Sequence, residues 1–281
     1  MVLAAGEGRR LRPLTDRVPK ALCPVGNLPL LDRALDRLAR LGLAGPDAIA
    51  VNAWYLADQV VAALGDRGYP SVERGPHPLG TAGGIGNLRD WIAGRGVLAV
   101  NADGYLASSG QGGNSDLVPL LAGWDGRQTR LLGVPAEPGR PAEFGAYRFA
   151  GVSLLPWWRV ARLTAEPADL VRQVWRPAEA AGDLAVVEYP GTYLDTGTPA
   201  DYLAANLHAA AAAPGGVLIG AGATVTGTVS HAVIGAGATI RGRVSHALVW
   251  PGGTVPAGER LRDAIRYGTD GTVPAGTVSM S

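Results

Sequence analysis

The chain is poor in cysteine, lysine, phenylalanine and methionine: over 281 residues it has one, one, two and two of them. A single cysteine excludes an internal disulfide. Cys23, set among apolar neighbours in "ALCPV", reads as a small buried residue in a reducing compartment. Net charge is nearly absent too, at +1 from 25 basic and 24 acidic side chains. No global field therefore points to nucleic acid or to an anionic membrane as a partner. No apolar run reaches the length of a bilayer span, and no charged N-terminal region leads into a long apolar core. The alanine run 209–213 is too short for either. These absences predict a cytoplasmic protein. What remains, 47% hydrophobic and 17% charged residues, is the make-up of a folded globular chain, long enough for one large domain with a small companion.

Apolar runs alternate with amphipathic ones. "VLAA" (2–5) reads as a buried strand that stops at Gly6; it is short, so residues are expected upstream of Met1. "PLLDRALDRLARLG" (29–42) puts Leu30, Leu31, Ala34, Leu35, Leu38 and Leu41 on one helical face, with Pro29 opening and Gly42 closing it. "AIAVNA" (48–53) is a second strand, "LADQVVAALG" a helix, and "GVLAVNAD" (96–103) a third strand ending on a carboxylate. "SSGQGGNSD" (108–116) is a polar, glycine-rich loop, and "TRLLGVPA" and "FAGVSLLP" are further strands. "TPADYLAANLHAAAA" starts a helix with Thr198 as N-cap and Pro199 at the first helical position. The pattern predicts an α/β fold with a mixed, mostly parallel sheet over residues 1–212.

After "APGG" (213–216) the composition changes. "LIGAGATVTGTVSHA" (218–232) is followed at once by "VIGAGATIRGRVSHA" (233–247), with 11 of 15 positions identical. A weaker third copy, "LVWPGGTV", begins at 248. Aliphatics recur six apart at Ile219 and Val225, Ile234 and Ile240, and Val249 and Val255. That spacing predicts a hexapeptide-repeat parallel β-helix over 213–281, with "ERLRDAIRYG" capping its open end; irregular antiparallel hairpins are the alternative. A short solenoid with flat coil faces also predicts self-association. His231 and His246 occupy equivalent repeat positions and read as a recurring corner residue; an acyl-transfer histidine is the weaker alternative.

The stretch "LAAGEGRRLRPLTDRVPK" (3–20) carries the chemistry. A glycine turn after the first strand of an α/β domain cradles phosphate, because its backbone N–H groups meet an anion without side chains in the way. A P-loop pattern is absent, and a dinucleotide fingerprint fails because Leu11 stands where a third glycine belongs. Residues 4–20 hold Arg9, Arg10, Arg12, Arg17 and Lys20 against Glu7 and Asp16, which suits a triphosphate. Every other cation in the chain is arginine. A solitary lysine suggests a slot that takes a compact ammonium and refuses a forked guanidinium.

These residues resemble a known signature. "LAAGEGRRLRPLTDRVPKALCPVGNLPLL" is similar to that of sugar-1-phosphate nucleotidylyltransferases, LAAG-x-G-x-RL-x-PLT followed by PK-x-L-x-PV. "PHPLGTAGGI" resembles their nucleobase loop, "VLAVNAD" the strand with the first metal-binding aspartate, and "YLDTGTPADYL" the segment with the second. With an appended left-handed β-helix, the chain is most similar to mannose-1-phosphate guanylyltransferases. The resemblance implies that Ala4, Ala5, Gly6, Gly8, Arg9 and Arg10 wrap a nucleoside triphosphate, and that Arg10, Lys20 and Asp103 are catalytic. It implies that Gly80, Thr81, Ala82 and Gly83 line the base, that Asp103 and Asp195 hold Mg²⁺, and that Gly145, Arg148 and Asp195 meet the sugar phosphate. The reaction it implies is attack of a sugar-1-phosphate oxygen on the α-phosphorus, with pyrophosphate leaving. Such chemistry needs positioning and charge neutralisation more than proton transfer.

The acceptor half departs from the pattern. No lysine remains for the Glu-Lys-Pro segment found in many members, and "PAEFGAYRFAGVSLL" runs from one strand to the next. Arg140 or Arg148 is a replacement candidate, against a solvated surface charge for either. Phe149-Ala150-Gly151 stands where many relatives have Asn-Ala-Gly. The expected reaction leans to GTP and a mannose-1-phosphate-like acceptor, with uridylyl or thymidylyl transfer, or a catalytically silent NDP-sugar-binding subunit, as alternatives.

Overall fold

A computed structural model describes residues 1–108 and 115–276, so most of the glycine-rich stretch 108–116 lies outside the described residues. The chain divides into two compact units that interleave in sequence: Met1–Glu7, Pro19–Ala21 and Leu31–Tyr193 form one, and Gly8–Val18, Leu22–Leu30 and Leu194–Ser281 the other.

The first unit is built on a seven-stranded sheet in the order Leu184–Glu188, Thr129–Pro135, Tyr147–Leu155, Val97–Asn101, Val2–Leu3, Ala50–Ala53, Tyr69–Val72. Val2–Leu3 lies between two parallel neighbours, Ala50–Ala53 and Val97–Asn101. Tyr147–Leu155 runs antiparallel to the strands on both its sides. The sheet is therefore mixed and mostly parallel, as the sequence predicts. Continuous apolar runs such as "VLAV" are what strands covered on both faces require; Val97, Leu98, Ala99 and Val100 are all buried. The helix Leu30–Ala39 turns Leu31, Ala34, Leu35 and Leu38 inward. Pro29 does not open it. Pro29 pairs instead with Pro24 in a small antiparallel hairpin of the second unit, Pro24–Val25 with Leu28–Pro29. The hairpin takes the proline because its missing N–H costs nothing at a short strand edge.

The second unit contains the helix Pro199–Ala210 and a parallel β-helix. The Thr198 hydroxyl accepts from the Asp201 N–H, as an N-cap should. Within this unit Tyr202 donates to the Pro24 carbonyl, Trp250 Nε1 donates to Tyr202 Oη at 3.2 Å, and Asn206 Oδ1 accepts from the Gly26 N–H at 3.0 Å. The solenoid stacks two columns of parallel strands. One runs Val217–Ile219, Thr228–Ile234, Arg243–Val249, and the other Thr224–Val225, Thr239–Ile240, Thr254–Val255. Ile234, Ile240, Val249 and Val255 are fully buried, whereas Ile219 in the first coil is 56% exposed. An aliphatic in a solenoid is covered only by its neighbours, and the first coil has a neighbour on one side. The tail goes beyond a cap: Arg260–Arg262 and Ala264–Tyr267 add parallel strands, and Gly271–Pro274 closes back antiparallel on the latter. His231 and His246 both sit at positive φ, and their rings stack 5.0 Å apart at 4°. Corner residues stacked coil on coil give that arrangement.

Candidate active site

In the first unit, Val2–Leu3 delivers Ala4 and Ala5, both buried, to the start of the glycine turn. Asp103 follows the strand Val97–Asn101 in a turn. Lys20 lies in a single helical turn, Lys20–Leu22, and is 6% exposed. Its Nζ donates to Asp103 Oδ2 at 3.2 Å, while the Asp103 side chain stays half-exposed. A buried ammonium held on a solvent-facing carboxylate is what the solitary lysine suggests: a narrow slot with one charged end.

In the second unit, Gly8, Arg9 and Arg10 begin a helical turn in which the Gly8 carbonyl accepts from the Leu11 N–H and from the Thr15 hydroxyl. Arg9 and Arg10 are exposed. Arg10 Nη2 lies 3.7 Å from Asp195 Oδ2. Gly197 makes room for this pair, since a Cβ there would strike the Arg10 guanidinium and crowd Asp195 Oδ2. The four residues singled out from the sequence thus fall into two cation–carboxylate pairs, Lys20 with Asp103 and Arg10 with Asp195.

The segment expected as a nucleobase loop is a helix from Gly80 to Asn87. Four glycines in eight residues give poor helical propensity, and backbone-to-backbone packing supplies what propensity lacks. The N–H groups of Ala82 and Gly83 both donate to the Ala168 carbonyl, and Thr81 Oγ1 accepts from the Leu170 N–H. A Cβ on Gly83 would run into the Glu166 carbonyl. With those amides committed, Gly80, exposed at the helix start, and the segment before it are the parts of the stretch that face solvent.

Behind this helix lies a polar network that the sequence reading missed. Asn52 Oδ1 accepts from the Ala4 N–H at 2.8 Å, and Asn52 Nδ2 donates to Glu73 Oε1 at 2.7 Å. Glu73 Oε2 accepts from the Leu79 N–H at 2.7 Å. Asn52 is 2% and Glu73 4% exposed. The chain Ala4–Asn52–Glu73–Leu79 ties the end of the first strand to the start of the Gly80 helix. A signal was present: asparagine in the otherwise apolar run "AIAVNA" is out of keeping with a covered parallel strand.

In the acceptor half, Gly145 is exposed and Arg148 is half-buried on the strand Tyr147–Leu155. Among the described residues Arg148 Nε is buried without a hydrogen-bond partner, as are the Nε atoms of Arg159 and Arg266. Phe149 packs against Trp175 at a tilt of 48°, with centroids 4.4 Å apart, and its N–H donates to Glu143. Among the described residues no three His, Cys, Asp or Glu side chains stand together as a metal cage. No helix among the described residues is long and apolar enough to cross a membrane.

In the first unit a buried lysine is thus held on a carboxylate that follows a strand of a mixed, mostly parallel sheet. Residues 1–110 match the family model described as the MobA-like NTP transferase domain. The chain is similar to N-acetylmuramate alpha-1-phosphate uridylyltransferase of Neisseria meningitidis serogroup B, 42% identical over 37% of this chain and 46% of that protein. It is similar to mannose-1-phosphate guanyltransferase of Aspergillus fumigatus, 29% identical over 72% of this chain and 62% of that protein. In each case the chain spans less than two-thirds of the relative's length. A solved Bacillus anthracis structure assigned as a glucose-1-phosphate thymidylyltransferase shares the fold, with a TM-score of 0.63 at 18% identity, covering 74% of this chain and 93% of that one.

Proposed function

We propose that the chain transfers a nucleoside monophosphate from an NTP to a sugar-1-phosphate, releasing pyrophosphate. The observation that carries this reading is the Lys20–Asp103 pair, a buried ammonium and a half-exposed carboxylate within the stretch that matches the MobA-like NTP transferase domain. Lys20 would neutralise a phosphate oxygen as charge passes to the leaving pyrophosphate, and Arg10 would do so from the glycine turn. Asp103 would hold Mg²⁺, with Asp195 the second candidate carboxylate; the ion, when bound, supplies charge neutralisation on the triphosphate. Arg148, with its orphaned Nε, would meet the sugar phosphate alongside Gly145. The long match to a guanylyltransferase, over 72% of the chain, supports GTP and a mannose-1-phosphate-like acceptor. The higher identity to a uridylyltransferase, confined to 37%, supports UTP as the second reading. The exposed Ile219 on the first coil supports self-association of the solenoid.

Pyrophosphate release from each of four NTPs, crossed with a panel of sugar-1-phosphates and Mg²⁺, tests the reading. One NTP–sugar pair should turn over. Nucleotide binding with silence across the whole panel would replace an enzyme with a sensor of NDP-sugars.

A further inference from the structure

The two perfect coils of the solenoid differ at four of fifteen positions, and the differences are of two kinds. Leu218 against Val233, and Val225 against Ile240, exchange one aliphatic for another. Thr226 and Thr228 against Arg241 and Arg243 are another matter: "TGT" becomes "RGR" at the same corner. The first coil shows that the fold is satisfied there by threonine, so the stacking does not call for arginine.

Both arginines open onto a recess of ≈ 330 Å³ lined also by Thr228, Glu259 and Arg260. Arg243 and Arg260 are register partners on adjacent parallel strands, which sets their Cα atoms about 4.8 Å apart with side chains on one face. That face is outward, because Val244 and Leu261, the next residues along, point into the core. Three exposed guanidinium groups thus crowd one concavity. The nearby carboxylates do not answer them. Glu259 bonds to Arg266, and Asp263 to Arg262 at 3.2 Å. Among the described residues Arg241, Arg243 and Arg260 make no ion pair. Backbone donors at the recess are also committed: the N–H groups of Thr228, Arg241, Gly242 and Arg243 all bond to carbonyls of the neighbouring coil. Recognition there falls to the side chains alone. Like charges directly opposed across a strand pair are unfavourable unless an anion is shared between them, and paired guanidinium forks match phosphate oxygens in both geometry and charge.

We propose that this recess is a second anion site, lying wholly on the solenoid, for a small molecule that carries two or more linked phosphate groups. A single phosphate would engage one fork; linked phosphates span the step from one coil to the next.

The test titrates inorganic tripolyphosphate into the full chain at low ionic strength by calorimetry, with orthophosphate as the comparison. It is run on Lys20→Met, which disables the glycine-turn site, and on Lys20→Met combined with Arg241→Thr and Arg243→Thr. The latter pair gives the second coil the residues of the first, a sequence already compatible with the fold. Arg260→Ser in the Lys20→Met background is an independent route to the same loss. Tripolyphosphate should bind the Lys20→Met protein more tightly than orthophosphate, and either set of arginine replacements should weaken it by about tenfold or more. On the otherwise unchanged chain, Arg241→Thr/Arg243→Thr should leave basal turnover intact. Equal tripolyphosphate affinity with and without the arginines would overturn the proposal. So would absence of binding to Lys20→Met protein together with a fall in assembly mass on arginine replacement, which would assign the cluster to contacts between copies.

Discussion

Lysine and arginine carry the same charge, yet the slot beside Asp103 holds the one lysine in the chain. Because Lys20 is buried, its replacement tests shape as well as charge. Lys20→Met should lower the rate of pyrophosphate release by about a hundredfold or more, and Lys20→Arg should restore little of it, since a planar fork is larger than an ammonium. The fold should scarcely notice: Asp103 is half-exposed, so losing its partner should cost less than about 1 kcal/mol, measured by urea unfolding. Glu73 behaves in the opposite way. Its carboxylate answers two donors, the buried Asn52 amide and the part-buried Leu79 N–H. Glu73→Ala should destabilise by about 1–3 kcal/mol through donors left unsatisfied, with Glu73→Gln retaining part of that loss in the same denaturation experiment. Cations were legible in the sequence because they were rare or clustered. Glu73, in "SVERG", is surrounded by nothing that marks it as buried, and its role depends on Asn52, twenty-one residues away.

At the scale of elements, the strands and the amphipathic helix were legible because their periodicity records what covers them. The run "VLAV" needs cover on both faces, and the leucines of 30–38 need it on one. The Gly80–Asn87 helix was not legible. Glycine writes no periodicity, and what holds this helix is the 164–170 segment, whose backbone comes so close that side chains are excluded. Gly83→Ala should therefore destabilise although alanine is the better helix former. Overpacking against the Glu166 carbonyl should cost about 1–3 kcal/mol, read as a lowered midpoint in thermal unfolding. A stabilised protein would show that this contact yields easily. Thr198 is the converse case, an end marked in the sequence by Thr-Pro and seen in the Asp201 N–H bond. Thr198→Ala should cost about 1 kcal/mol in the same measurement.

For the molecule as a whole, the solenoid differs from the sheet unit in how stability is shared. Each coil is covered by its neighbours alone, so damage should spread along the stack. Ile240, fully buried in the second coil, is the position to ask. Ile240→Ala should cost about 2–5 kcal/mol. Hydrogen exchange should show the loss in all coils, with the seven-stranded sheet keeping its protection. Uniform loss over both units would mean that the chain unfolds as one cooperative block.

The register of the stack carries a genetic consequence. Thr224, Thr239 and Thr254 are aligned partners at fifteen-residue intervals, so a tandem duplication of forty-five nucleotides within this stretch would hand the protein one more complete turn. Where Arg243 meets Arg260 the interval is seventeen, the mark of a two-codon gain absorbed at a bend. Length in this part of the gene can change in quanta of a whole turn, or by small additions at the corners, without a frame being lost or a buried aliphatic being turned out to water.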